Sequence, residues 1–188
     1  ATSPNLTINN GDAALTIGSL GDSSNALGSV QFTDSDTIST NASNWYTGAL
    51  TMADGEDLTL SNSKPLTIAS AALTAGNITT SANDLTITSA ATDFDSITLG
   101  GTLSLTTSGA ATIGNITGAG KDITISSGAN NITVGTLGAS GNALGAVALT
   151  STGTIATGAS NWYTGALTLS DGNNFTLNNS DANGLTIS

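Results

Sequence analysis

Short apolar stretches recur along the chain, each with one polar residue set between two aliphatics. The tripeptide apolar-Thr-apolar, with Leu, Ile or Phe first and Ile, Leu, Val or Met last, occurs twelve times, starting at Leu6, Leu15, Leu50, Leu58, Leu66, Leu85, Ile97, Ile123, Ile132, Leu167, Phe175 and Leu185. Alternation with period two puts the flanking side chains on one face of an extended strand and the Thr on the other. Thr and Ile reinforce that state, because a branched Cβ packs well on a pleated surface. No segment sustains an i, i+3, i+4, i+7 apolar pattern before Gly, Asn or Ser interrupts it, so helix is excluded almost everywhere. Pairs such as Asn10-Gly11, Asp54-Gly55, Gly76-Asn77, Gly114-Asn115 and Asp171-Gly172 stand between the strands. Such residues tolerate the left-handed backbone region and make tight corners.

A longer repeat decides how the strands are organised. Residues 15–63 match residues 132–180 without a gap, at an offset of 117, with 30 of 49 positions identical. The longest shared block runs from Ala42 to Thr51 and returns from Ala159 to Thr168. The chain therefore reads as one segment, 1–188, with a first period over 15–131 and the start of a second over 132–188. Turn signals divide the period into coils of about 20–27 residues, the length of one solenoid turn carrying two or three short strands. The expected fold is all-β: a right-handed parallel β-helix, since parallel crossovers strongly prefer that hand. A β-sandwich also has many short strands, but it needs no internal near-copy, and its edges call for Lys and Pro to block edge-to-edge pairing. This chain has two Pro and two basic residues in all. Eight or so coils at ~4.8 Å spacing predict a rod roughly 40 Å long, with Leu58, Leu85 and Leu103 in interior ladders.

Composition narrows the functional classes. The formal charge is −11, from thirteen acids against two basic residues, Lys64 and Lys121, and there is no Cys or His. That balance repels phosphate backbones and anionic headgroups, so neither nucleic acid nor a membrane surface is an expected partner. No run of 18 apolar residues is present to span a bilayer. Without Cys, stability must come from burial and hydrogen bonding. Only 8% of residues are charged and the polar bulk is Ser, Thr, Asn and Gly, which suits an extracellular chain. Without His or Arg, a general base poised near neutrality would need a strongly perturbed Asp or Lys. The chain is read as no enzyme, and no cofactor is expected.

Runs such as Ile97-Thr98-Leu99-Gly100-Gly101-Thr102-Leu103-Ser104-Leu105 and Ala111-Thr112-Ile113-Gly114-Asn115-Ile116-Thr117-Gly118 resemble filamentous-haemagglutinin-like exoproteins and related giant repetitive bacterial adhesins. The resemblance covers essentially the whole chain and rests on composition and Leu-Thr-Ile periodicity. The family's Asn-Pro-rich secretion signatures have no counterpart here; Pro4 and Pro65 sit in other contexts. The resemblance implies a secreted, surface-displayed β-helical shaft for adhesion or matrix formation. The alternative is a carbohydrate-binding or ice-binding β-helix module.

Trp45-Tyr46 and its copy Trp162-Tyr163 hold every Trp and Tyr of the chain and are the leading ligand-binding candidates. Neighbours in a strand point to opposite faces, so at most one of each pair can be buried in the coil. The other offers a π platform to sugars or to another shaft. The competing reading packs both rings under a loop or against a wide coil. Asp34, Asp36, Asp54 and Glu56 present hard oxygen ligands of the kind Ca²⁺ takes. They match no calcium-loop pattern, and most are replaced in the duplicate, which favours turn and solubility roles. Thr ladders on the outer face suggest either ice binding or ordinary solvent-facing strand residues. Expected partners are further copies end to end, or more repeats of the same chain, together with host or matrix glycans.

Overall fold

The computed structural model describes residues 4–9, 11, 15–33, 37–52, 58–62, 65–170, 176–179 and 184–188. Every strand pairing among them is parallel, and the strands stack as a β-solenoid of about seven complete turns. Three columns of strands form its walls. The first column runs through β1 (Leu6–Ile8), β3 (Leu27–Phe32), β5 (Asn44–Met52), β7 (Leu66–Thr80), β9 (Thr92–Thr98), β11 (Ala111–Thr117), β13 (Ile132–Val134), β15 (Thr154–Thr157) and β18 (Thr176–Asn179). The second begins with β2 (Leu15–Thr16), β4 (Thr37–Thr40) and β6 (Leu58–Asn62). It continues through the ends of β7, β9 and β11 to Leu137, β16 (Asn161–Trp162) and β19 (Thr186–Ile187). The third starts at Leu20 and the first halves of β5 and β7, then β8 (Leu85–Ser89), β10 (Leu103–Thr107), β12 (Ile123–Ser126), β14 (Val147–Thr150) and β17 (Leu167–Ser170).

Register makes the core. Trp45, Ile68, Ile87, Leu105, Ile125 and Leu149 stand one above another in the third column, as do Leu66, Leu85, Leu103, Ile123 and Val147. All are buried, and the residues between them, such as Thr124, face water. The tripeptide pattern is thus the mould of the solenoid: aliphatics pile inward and Thr lines the outside. Coils are more compact than the turn signals imply. Leu85 pairs with Leu103, 18 residues on, whereas Leu20 pairs with Trp45, 25 on. The short coils arise because β7, β9 and β11 bend around the first-to-second corner without leaving the ladder, so Gly76-Asn77 and Gly114-Asn115 lie inside strands.

Two polar devices close the corners. Buried Ser or Thr at a strand end accepts the N–H two residues on: Ala42 to Thr40 at 3.0 Å, Gly109 to Thr107 at 3.2 Å, Gly153 to Ser151 at 2.9 Å and Ala159 to Thr157 at 3.0 Å. These are turns in which a hydroxyl replaces a backbone acceptor. The second device is an Asn or Asp just before a strand, whose Oδ1 accepts a backbone N–H from the next coil. Asn5 takes that of Ser29 at 2.9 Å, Asp84 that of Thr102 at 2.9 Å, Asp122 that of Ala146 at 2.7 Å and Asn131 that of Thr154 at 3.0 Å. Each satisfies a corner donor that the ladder cannot reach.

The duplicated sequence keeps its own contacts but not its place on the rod. Leu15 pairs with Ile38 as Ile132 pairs with Ile155, and Leu27 with Thr47 as Leu144 with Thr164. Yet Leu15 belongs to the second column, while Ile132, paired with Ala111, belongs to the first. From Leu15 the second column reaches Thr117 in five turns, and Ile132 lies two faces further along the chain. The 117-residue interval is therefore a third of a turn out of phase with the coil.

Candidate functional site

Alternation along β5 turns Trp45 inward, Tyr46 outward and Thr47 inward. Trp45 is fully buried, and its Nε1 donates to the Gly18 carbonyl at 2.8 Å. Trp162 repeats this against Gly135, also at 2.8 Å. A wide aromatic thus fills the coil while its polar edge finds a partner, as a buried indole requires. Tyr46 and Tyr163 are half-buried on the outside, with their backbone N–H groups held by Leu20 and Leu137, each at 2.7 Å. The aromatic surface therefore belongs to the two tyrosines. The phase shift sets them on different faces, with Tyr46 in the third column and Tyr163 following Trp162 of the second.

Beside Tyr46 runs a groove of about 460 Å³. It lies where the third column turns into the first, and is lined on successive rungs by Ala26, Tyr46 and Thr47, Ala69 and Ser70, Thr88 and Ser89, and Thr106 and Thr107. Its floor is a buried hydroxyl row, Thr47, Ser70, Ser89 and Thr107, in vertical register. The Ser89 hydroxyl donates to the Ala91 carbonyl at 2.6 Å, and that of Thr107 caps Gly109. Thr47 differs. Only 5% of it is exposed, and its Oγ1 has no hydrogen-bond partner. Thr164, its duplicate, carries the same unpartnered Oγ1.

A second depression lies on the other side of Tyr46, lined by Ser19, Asp22, Asn41, Ser43 and Asn44 among others. Its counterpart in the duplicate is lined by Thr136, Gly158, Ala159 and Ser160. Asp22 accepts the N–H groups of Ser24 and Asn25, both at 2.8 Å, and these hold its carboxyl below the usual carboxylate range. Its job is to shape the loop between Leu20 and β3. Asp34, Asp36, Asp54 and Glu56 lie outside the described residues. Among the described residues, no group of three His, Cys, Asp or Glu converges.

The groove was not legible as a site in the sequence, because Ser and Thr at strand ends read as surface. The available signal is their spacing: Ser70, Ser89 and Thr107 recur at one coil length, each four residues after a Leu that begins a strand. Comparison with protein-family models, with curated proteins and with solved structures gives no match. The functional reading therefore stands on the geometry above.

Proposed function

We propose that this chain is a rigid structural or adhesive shaft of a secreted bacterial surface protein, and that it has no catalytic role. The supporting observation is the axial ladder, in which wall strands between the first and last described coils pair with the coil above and below and aliphatic columns run through the rod. Such an object resists bending and holds surface features at fixed heights. The only large apolar residues exposed among those described, Leu6 and Ile187, stand on the first and last described rungs. Further coils of the same chain, or a second copy stacked on the axis, would cover them. The neutral-polar exterior and the likeness to filamentous-haemagglutinin-like repeats fit display outside the cell. Electron microscopy tests the reading: rods about 40 Å long or their end-to-end fibres support it, and compact particles without axial order refute it.

One observation favours a second reading, ice binding. Thr59, Thr79, Thr98 and Thr117 stack on four consecutive rungs of the second column, the last three fully outward, beside Asn77, Ser96 and Asn115. Thermal hysteresis in a micromolar solution would support it, and its absence would remove it.

A further inference from the structure

We infer that the groove beside Tyr46 binds a linear, uncharged oligosaccharide laid along the rod axis. The inference rests on the adhesive reading above and names the chemistry that the shaft holds.

Three features select the ligand. The first is length: the groove crosses five rungs, from Ala26 to Thr107, or roughly 19 Å at the ordinary strand spacing. A rung is close in height to one hexose of an extended β-1,4-linked chain, so each sugar of a tetramer meets an equivalent set of Ala, Ser and Thr groups. The second is charge. No carboxylate or amine lines the groove, and the chain carries a net charge of −11, so an acidic polymer gains no partner and is repelled. The third is surface type: Thr methyls and Ala side chains suit the C–H faces of sugars, and the half-exposed Tyr46 ring at one end is a stacking platform. An extended peptide would instead need an open sheet edge, and every rung along the groove is already paired.

The test is titration calorimetry of the intact chain with cellotetraose, chitotetraose and, for comparison, tetragalacturonate and a polyproline peptide. Saturable binding of at least one neutral tetraose is expected. Affinity should fall roughly tenfold in Tyr46→Ala, on loss of the stacking ring, and comparably in Thr106→Arg, an exposed position that fills the groove without touching the core. Thr133→Ala, on the first column, should change nothing. The inference is overturned if neither tetraose binds, if binding survives both Tyr46→Ala and Thr106→Arg, or if tetragalacturonate or polyproline binds more tightly. Rods that persist by microscopy alongside such a failure would leave the shaft reading standing, whereas loss of rods would remove that reading separately.

Discussion

Replacing Ile125 by Ala probes the interior column where it is most enclosed. The side chain is fully buried, with Leu105 on the rung below and Leu149 on the rung above. Truncation removes three carbons, worth about 2.4 kcal/mol at about 0.8 kcal/mol per buried CH₂. Backbone hydrogen bonds fix the rung spacing, so Leu105 and Leu149 cannot close over the gap and a cavity cost adds to the transfer cost. A loss of about 3–4 kcal/mol follows, inside the usual range of about 2–5 for Ile→Ala. Thr124, the preceding residue, points to solvent, and Thr124→Ala should stay within about 0.5 kcal/mol. Urea unfolding followed by circular dichroism measures both variants. Amide exchange in Ile125→Ala should quicken first in β10, β12 and β14, the strands that share the gap. Equal costs for the two substitutions, or less than about 1 kcal/mol for Ile125→Ala, would refute the stacked-column assignment.

Further outcomes follow from the same geometry. Trp162→Phe removes the Nε1 bond to the Gly135 carbonyl at 2.8 Å and leaves that carbonyl only the longer bond from the Thr157 hydroxyl at 3.3 Å, so it should cost about 1 kcal/mol in the same unfolding assay. In the wild type both indoles should emit as buried chromophores and resist acrylamide quenching. In Gly135→Ala the new Cβ would run into the Gly114 carbonyl of the coil below, so a lower melting temperature and red-shifted Trp emission are expected. The lowered pKa of Asp22 means that its contribution is present above the ordinary carboxylate value, 3.8, and is lost as pH falls through the lower folded value. Amide exchange at Ser24 and Asn25, corrected for intrinsic rates, should therefore accelerate on acidification below that range, and Asp22→Ala should abolish the pH dependence.

Much of this fold is legible in the apolar-Thr-apolar units, because strand alternation alone dictates which side chains enter the rod. The same rule separates Trp45 from Tyr46, and it correctly allows only one ring of each pair inside. Coil length was less accessible. Gly76-Asn77 and Gly114-Asn115 carry turn chemistry, yet they bend continuous strands, and only the register reveals that Leu85 meets Leu103. The third-of-a-turn phase follows from those lengths, so the repeated sequence at residues 15–63 and 132–180 gives no hint that the copies occupy different faces. The Asp residues were hardest to interpret. Asp84 and Asp122 each accept a backbone N–H from the next coil, a contact no local pattern announces. The groove was hidden for a similar reason: Ser70, Ser89 and Thr107 look like surface hydroxyls until stacking places them on a buried floor.

The central claim, that residues one coil apart are axial neighbours, is most directly tested by disulfide trapping in a chain that has no Cys of its own. Thr112 and Thr133 are exposed register partners in the first column, and adjacent strands place their Cα atoms about 4.8 Å apart, within disulfide reach. Thr124 is nearer to Thr112 in sequence but lies in the third column. The solenoid predicts rapid oxidation of Thr112→Cys/Thr133→Cys to a cross-linked monomer, and none for Thr112→Cys/Thr124→Cys. Cross-linking of the second pair in preference to the first would contradict it.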